Sequence, residues 1–155
     1  MEHDMRAVVQ RTNGAEITIN DAETRVAGPG LVVFICAMEG DTDAQADFLA
    51  QKVCELRIFK DENGKMNRSL VDEKGDILVV SNITLSADMK RGRRPDFSHS
   101  AAPDEANRLY EYFVEQVRKQ PVGQVLTGEF GAHMHVNVQN DGPVNIIIDT
   151  ERIGK

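Results

Sequence analysis

Apolar side chains recur in two patterns along this chain, and both patterns predict strands. Alternation at every second position, as in residues 132–139, is typical of a strand with one buried face, which would carry Met134 and Val136. Unbroken apolar runs, as in residues 31–37 and 77–80, favour strands that are buried on both faces. The predicted strands are residues 5–10, 15–19, 31–37, 77–80, 132–139 and 144–149.

Apolar residues at helical spacing predict two main helices. Thr42 followed by Gln45 fits a capping box, and the helix that it starts would extend to about residue 59. Pro103 suits a first helical position, because the amide hydrogen that proline lacks has no partner there. Apolar residues then follow the helical period to about residue 119.

The order of these elements predicts one domain over residues 1–155. No repeat, linker or low-complexity tract divides the sequence, and this length suits a single core. Asn13-Gly14 is a strong hairpin signal between the first two strands. Strands outnumber helices in a mixed order, which indicates a compact α/β fold with a mixed, mostly antiparallel, barrel-like sheet and two main helices.

Composition places the protein among soluble, globular, cytoplasmic chains. The sequence is 41% hydrophobic and 28% charged, and it has no apolar run of the roughly 18–20 residues that cross a bilayer. Residues 1–4 are polar and acidic, unlike a secretory or transit signal. Cys36 and Cys54 form no ligand-spaced cluster, and both fall within apolar patterns. We therefore expect two reduced core cysteines and no membrane association.

The net charge of -7 argues against broad electrostatic capture of a nucleic-acid backbone. A local basic patch remains compatible with it. The densest positive stretch consists of Lys90, Arg91, Arg93 and Arg94. A solvated loop is the alternative interpretation of such a cluster.

Conventional catalytic and metal-binding motifs are missing from the sequence. It has no Gly-x-Ser-x-Gly elbow, no Walker loop and no His-Glu-x-x-His. His133 and His135 would lie on one strand face, as in some metal sites, but no carboxylate or thiolate partner is evident. A polar strand face is the better interpretation, and we expect neither metal nor cofactor. A nucleophilic pair of Cys36 or Cys54 with a histidine is a weaker alternative.

The segment Ser81-Asn82-Ile83-Thr84-Leu85 directly follows a predicted buried strand. At such a position it could present backbone amides and two hydroxyls to an oxyanion. Thr84 could act as a nucleophile, but no general base lies near it in the sequence. On these residues alone, a plain strand exit is the competing interpretation.

A turn cluster containing Gly142-Pro143 separates the last two predicted strands. Proline fits poorly inside a strand, and an X-Pro bond can adopt the cis form. A cis bond turns two successive carbonyls to the same side, where they could read the handedness of a small ligand. An ordinary turn remains the alternative.

Taken together, the segments resemble the D-aminoacyl-tRNA deacylases over nearly the whole chain, from about residue 5 to 148. The segments that carry the resemblance, in chain order, are Val8-Val9-Gln10-Arg11, Arg57-Ile58-Phe59, Gly64-Lys65-Met66-Asn67, Ser81-Asn82-Ile83-Thr84-Leu85, Arg94-Pro95-x-Phe97-Ser98, Thr127-Gly128-x-Phe130-Gly131-Ala132-x-Met134 and Asn140-Asp141-Gly142-Pro143-Val144. The fourth of these occupies the position of the family's Ser-Gln-Phe-Thr-Leu motif, the fifth follows it at the expected place, and the last corresponds to the family's Asn-x-Gly-Pro-Val-Thr motif.

The resemblance implies a cofactor-free homodimer that hydrolyses the ester of D-aminoacyl-tRNA, with active sites at the subunit interface. A cis Gly142–Pro143 of one subunit would enter the other subunit's site and exclude L side chains, while glycine, including glycine mischarged on tRNA(Ala), would pass. Arg11 and Asn140 would support this filter. The terminal adenosine would lie against Phe130, Gly131, Ala132 and Met134. The catalytic segment would be Ser81, Asn82, Ile83 and Thr84, with the 2′-hydroxyl of the RNA assisting hydrolysis and the basic stretch contacting phosphates.

Three departures from the family pattern leave alternatives open. Asn82, Ile83 and Asn145 stand where the family has Gln, Phe and Thr. Losing the aromatic ring could loosen the pocket, whereas backbone-mediated roles tolerate such changes better. One alternative is a related proofreading enzyme with a trans Gly-Pro that accepts a small L-aminoacyl-tRNA. Another is a non-catalytic nucleic-acid-binding module with the same fold.

Overall fold

The computed structural model describes residues 4–150, so the predictions about residues 1–3 lie outside it. The strands are β1 (Arg6–Ile19), β2 (Glu23–Ala27), β3 (Gly30–Cys36), β4 (Phe59–Lys60), β5 (Met66–Arg68), β6 (Asp76–Ser81), β7 (Val125–Thr127) and β8 (Met134–Asp149). The helices are α1 (Asp43–Glu55), α2 (Leu70–Glu73) and α3 (Pro103–Arg118), with a 3-10 turn at Ile83–Ser86.

Six of these strands form one mixed sheet around the long strand β1. β1 pairs antiparallel with β2, β3 and β8, and the sheet continues from β3 through β6 to β7 by parallel pairing. The short strands β4 and β5 form a separate hairpin. The predicted α/β class with a mixed, mostly antiparallel sheet is confirmed. The parallel order places the carboxyl end of β6 beside that of β3, where a cleft can form.

The hairpin predicted at Asn13-Gly14 is wrong. β1 continues through both residues, although its pairing with β8 is irregular there. The Gly14 amide donates a hydrogen bond to the Thr12 hydroxyl at 3.0 Å within this stretch. The chain reverses instead at Asn20 and Asp21, whose φ angles are 52° and 57°. Asn and Asp tolerate this left-handed conformation, which a tight hairpin turn requires.

The two strands predicted around the Gly-Pro cluster are one continuous strand, β8. Its register with β1 passes from Gln10 opposite Asn145 to Thr12 opposite Asn140. Four residues, 141–144, therefore lie opposite the single residue Arg11, and we call them the Gly-Pro bulge. A bulge re-aims the chain without ending the pairing, which a sequence pattern cannot distinguish from a turn.

Both predicted helices are confirmed. Thr42 and Gln45 form the expected capping box at α1, and Pro103 is the first residue of α3. α1 ends at Glu55 rather than near residue 59, because Leu56 adopts a non-helical ψ of 128° and the chain turns towards β4. The one-turn helix α2 was not predicted.

The main core lies where α1 and α3 pack against the sheet. Both helices contribute fully buried side chains, including Leu49, Val53, Leu109 and Phe113. A second cluster fills the opposite side of the sheet, where Met134, Val136 and Val138 pack beside Ile17 and Leu78. The alternation predicted for the start of β8 is confirmed, because the side chains between those three are exposed. These two cores hold the sheet edge that carries the cleft.

Candidate functional site

A cleft of about 640 Å³ opens where β3 and β6 end and α3 begins. One group of lining residues is the predicted catalytic segment, Ser81, Asn82, Ile83 and Thr84. Another is the predicted adenosine-binding group, Phe130, Gly131, Ala132 and Met134. Segments more than 40 residues apart in the sequence thus meet in one cavity. Most of the remaining lining is apolar and comes from β3 and α3, as with Phe34 and Ala106.

The first wall of the cleft is built by the 3-10 turn that follows β6. The Asn82 amide donates to the Ile35 carbonyl at 2.8 Å, which extends the parallel pairing by one residue. The Asn82 side-chain oxygen then accepts from the Thr84 amide at 3.2 Å and from the Thr84 hydroxyl at 2.5 Å. Asn82 therefore caps the turn, as short polar side chains do at helix starts.

Three side chains outside the predicted segment fix this turn. The Ser86 hydroxyl donates to the Ile83 carbonyl at 2.8 Å, and the Cys36 thiol lies 3.7 Å from the same oxygen. Arg6 donates to the Leu85 carbonyl at 2.9 Å. Sequence reasoning did not identify these roles, because all three contacts end on backbone carbonyls, which leave no pattern in a sequence.

The second wall of the cleft is a tight turn that exposes an aromatic ring. Gly131 has a φ of 79°, and Ala132 donates back to the Glu129 carbonyl at 3.2 Å. Phe130 is 38% exposed, and its ring centroid lies 6.1 Å from that of Tyr110 in α3. An exposed ring beside a cleft offers a stacking surface for a nucleobase.

Burial keeps the cleft's thiol and phenol neutral near pH 7. It raises the pKa of the Cys36 thiol to about 11 and that of the Tyr110 hydroxyl to about 12. A thiol with a raised pKa is a poor nucleophile at neutral pH. Cys54 is also buried, and its pKa rises to about 12. The predicted buried cysteines are confirmed, and neither is suited to a nucleophilic pair with histidine.

The Gly-Pro bulge is held from beneath by Arg11, whose side chain is almost fully buried. Its Nε lies 3.3 Å from the Asp141 carbonyl oxygen and 3.1 Å from the Asp141 carboxylate. Its Nη1 donates to the Ile58 carbonyl at 2.7 Å. A planar guanidinium with several fixed donors can hold a loop in one orientation.

Asn140 fastens the bulge from its other end. Its side-chain oxygen accepts from the Val144 amide at 3.0 Å, across the bulge. Its side-chain nitrogen donates to the Asn145 oxygen at 2.6 Å. Asn145, one of the three departures from the family pattern, therefore still contributes a side-chain hydrogen bond.

Gly142 and Pro143 are exposed, and they do not line the cleft of their own chain. Their peptide bond is cis, the isomer that the resemblance implies. Asp141, at the start of the bulge, instead lines a separate cavity of about 290 Å³ together with Arg11. Within one chain, the structure therefore brings the predicted catalytic and adenosine groups together but keeps the predicted filter apart from them.

The predicted phosphate-contacting residues lie on an exposed loop between the 3-10 turn and α3. Lys90, Arg91, Arg93 and Arg94 are all exposed. The loop is closed by backbone pairing of Asp88 with Asp96. The loop begins just after Ser86, where the 3-10 turn of the cleft ends, and it comes back to the cleft at Ser100, which lines it. The basic residues thus project from a loop whose two ends are at the cleft.

His133 lines the cleft directly before β8, and His135 is the second residue of that strand, so the two do not share a strand face as predicted. Their rings are 4.8 Å apart, and the nearest carboxylate oxygen of Asp21 is 3.5 Å from His135 Nε2. Within residues 4–150, no three His, Cys, Asp or Glu side chains are grouped closely enough to hold a metal ion. None of the described helices is both long and apolar enough to span a membrane.

Comparisons with known proteins agree on one family. Residues 8–149 match the D-Tyr-tRNA(Tyr) deacylase family. A D-aminoacyl-tRNA deacylase of Thermosipho melanesiensis is 50% identical over 149 residues, which are 96% of this chain and 99% of that protein. One of Ruegeria pomeroyi is 54% identical over 145 residues, covering 94% and 99%. A solved structure named c-Myc DNA Unwinding Element Binding Protein superposes with a TM-score of 0.85 at 37% identity, covering 92% of this chain and 97% of that one.

Proposed function

This chain belongs to the D-Tyr-tRNA(Tyr) deacylase family, and we propose that its cleft holds the aminoacylated 3′ end of tRNA while a second subunit's Gly-Pro bulge excludes L-amino acids. The family activity makes the protein a hydrolase of D-aminoacyl-tRNA, which is a proofreading step in translation. Its substrate belongs to translation, so we assign it to the cytoplasm.

The observation that carries this proposal is the shared cleft of the 3-10 turn and the Phe130 turn. An aminoacyl-tRNA ends in an adenosine esterified to an amino acid, so its site needs a base-stacking surface and an ester-binding surface side by side. Phe130 and Met134 supply an apolar surface on one wall. The turn after β6 supplies backbone amides and hydroxyls on the other. The two chemistries that the substrate requires are therefore adjacent.

The carbonyl oxygen of the ester gains negative charge during hydrolysis, and the 3-10 turn would stabilise it. The first amides of such a turn have no partner within it. The Thr84 amide is directed to the Asn82 side chain, so we assign the Ile83 amide as the donor to the oxyanion. Because a backbone amide performs this role, replacing the family's Phe with Ile83 leaves the donor in place.

The hydroxyl of Thr84 is poorly placed to be a nucleophile. It donates to the Asn82 side-chain oxygen, and an amide oxygen is not a base that could remove the proton. The substrate itself carries a suitable group, the 2′-hydroxyl next to the ester. We therefore assign the assisting hydroxyl to the RNA, with the protein positioning it.

A second copy of this chain fits beside the cleft on an apolar strip. Ile147 is 79% exposed on β8, and it lies opposite Val8, which lies opposite Phe34 on β3. Phe34 in turn lines the cleft. The strip therefore connects the strand that carries the bulge with the cleft. In a two-fold symmetric dimer, contact along this strip would bring each bulge to the partner's cleft.

The filter would act on the amino acid's side chain and not on its ester. Arg11 and Asn140 hold the bulge so that its carbonyls form a fixed surface. An L side chain would collide with that surface, a D side chain would point away, and glycine has no side chain to exclude. Rejection by collision and by unpaired polar groups needs no recognition of any one side chain.

The basic loop supplies a phosphate-binding surface despite the acidic net charge. Its four cations are exposed and close together in sequence, next to the cleft's own segments. An acceptor end carries one charged phosphate per nucleotide, so a few cations suffice for a short single-stranded segment.

Hydrolysis of D-tyrosyl-tRNA and L-tyrosyl-tRNA by the purified protein tests this function. We expect the D ester to be hydrolysed at least about 100-fold more efficiently, a difference that corresponds to about 2.7 kcal/mol. The uncatalysed hydrolysis of each ester, measured without protein, is the control. Equal turnover of both esters, or turnover of the L ester alone, would contradict the filter, and turnover of L-alanyl-tRNA without turnover of D-tyrosyl-tRNA would favour the related proofreading enzyme. Binding without turnover of either would favour the nucleic-acid-binding module.

A further inference from the structure

We propose that His133 is a positioning residue that binds a phosphate of the tRNA acceptor end, so that acceptor-end affinity rises as the histidine becomes protonated. This proposal deepens the proposed function and rests on it, since it concerns the same cleft and substrate. It assigns a role to a side chain that the deacylase motifs leave undefined.

The backbone of His133 is fixed at the rim of the cleft by the β1–β2 turn. Its amide donates to the Asn20 side-chain oxygen at 3.3 Å, and its carbonyl accepts from the Asn20 amide at 2.8 Å. Asn20 itself is held in the left-handed conformation of the turn, with a φ of 52°. Two bonds to one residue set the position of His133 directly after the Phe130 turn.

His133 is the one cleft-lining residue in the described chain that can carry a positive charge. The lining contains no Lys, Arg, Asp or Glu, and its thiol and phenol are kept neutral by burial. A histidine changes its charge between about pH 5 and 8. The cleft can therefore present a cation to a phosphate, but only when His133 is protonated.

The neighbouring His135 differs from His133 in ways that make it a matched comparison. Both are exposed, and the two rings meet edge to face at 4.8 Å. His135, however, does not line the cleft, and its Nε2 lies 3.5 Å from the Asp21 carboxylate. His135 thus lies beside a carboxylate outside the cleft, whereas His133 lines the cleft itself.

The other charged groups near His133 are accounted for. Ionisable side chains near it, within residues 4–150, include Asp21, Glu23, Arg25, Cys36, Tyr110, Glu129 and His135. Glu129, in the preceding turn, lies 3.8 Å from Arg25, which is also 2.8 Å from Glu23, so one positive charge is shared between two carboxylates. The lysine and arginines of the basic loop stay charged between pH 6 and 8. The loop also holds His99, whose Nε2 lies 3.2 Å from the Asp88 carboxylate, so H99Q is measured beside H133Q and should keep the wild-type pH difference.

The experiment measures binding of an uncharged RNA minihelix ending in CCA, at pH 6.0 and 8.0 and constant ionic strength, by fluorescence anisotropy. We expect the wild-type protein to bind about fivefold more tightly at pH 6.0, and H133Q to lose this difference. H133K should bind tightly at both pH values, because its charge persists. H135Q should keep the wild-type difference within about twofold, since this histidine lies outside the cleft.

The same variants are assayed with D-tyrosyl-tRNA to separate positioning from catalysis. H133Q should raise KM at pH 6.0 and leave kcat within about twofold of the wild type. A pH difference in binding that persists in H133Q, or that H135Q abolishes equally, would overturn the proposal. So would a tenfold fall in kcat with unchanged binding, which would make His133 a proton-transfer residue. Failure of the proposed function is distinguishable, because wild-type protein would then not hydrolyse D-tyrosyl-tRNA.

Discussion

Replacing Gly142 by alanine should lower the ratio of kcat/KM for D-tyrosyl-tRNA over L-tyrosyl-tRNA by about 100-fold, equivalent to about 2.7 kcal/mol. Gly142 has a φ of 127°, which L side chains rarely adopt. An added Cβ would lie 2.8 Å from Val144 Cγ2 and 3.2 Å from Arg11 Nη2. The bulge must therefore shift away from the arginine that holds it, and its carbonyls would no longer exclude an L side chain. Steady-state hydrolysis of the two esters measures the ratio.

Gly40→Ala is the matched control for this substitution. Gly40 also has a positive φ, 92°, but a Cβ there would meet no atom within 4 Å. The control thus carries the same kind of backbone penalty on a loop away from the bulge. It should keep the wild-type preference for the D ester. A Gly142→Ala protein that folds and still prefers the D ester as strongly as the control does would remove the bulge from the filter.

Hydrolysis of D-tyrosyl-tRNA that lacks the 2′-hydroxyl on its terminal adenosine should fall at least about 1,000-fold, equivalent to about 4 kcal/mol. The reason is that neither Cys36 nor Thr84 in the cleft is an activated nucleophile. Cys36 is kept neutral by burial, and Thr84 donates its proton to an amide oxygen. Single-turnover rates with the deoxy and the ribo substrate make the comparison at saturating protein.

Thr84→Ala supplies the complementary result. If the RNA hydroxyl assists hydrolysis, this variant should keep its rate within about tenfold of the wild type, because the Ile83 amide remains in place. The Asn82 side chain also still accepts from the amide of residue 84. Loss of activity in a folded, tRNA-binding Thr84→Ala protein, with normal turnover of the deoxy substrate, would instead establish Thr84 as the nucleophile.

The elements that the sequence predicted correctly are those whose signals are local. The capping box at Thr42, Pro103 at the start of α3, and the alternation from Met134 onward each need only neighbouring residues. The Asn13-Gly14 signal was equally local, yet it failed. The residues there pair with β8, more than a hundred positions away, and this long pairing outweighs the turn preference.

The same difference between local signals and long-range contacts applies to the candidate site. The segments predicted to be catalytic and adenosine-binding followed from the resemblance, and the structure brings them into one cleft. The side chains that hold the turn could not be predicted, because Arg6 reaches a backbone carbonyl 79 residues away at Leu85. Tyr110 lies on the helix predicted from Pro103 to about residue 119, but its ring also lies near that of Phe130, which the helical pattern could not indicate. Such roles depend on where distant elements meet.

A mixed dimer tests most directly whether the bulge of one subunit filters the substrate in the other subunit's cleft. One subunit carries Gly142→Ala. The other carries Ile83→Pro, which removes the proposed oxyanion donor at a turn start that tolerates proline, after an extended Asn82. Co-expression with two different tags and purification on both isolates the mixed species.

If each bulge acts in the partner's cleft, the mixed dimer has one site built from a wild-type turn and a wild-type bulge. It should hydrolyse D-tyrosyl-tRNA at about half the wild-type rate, with the wild-type preference for the D ester, since two-fold symmetry gives two sites per dimer. If each bulge filtered its own subunit's cleft, the active site would carry the altered bulge. The mixed dimer would then show the reduced preference of Gly142→Ala, and that result would contradict the account.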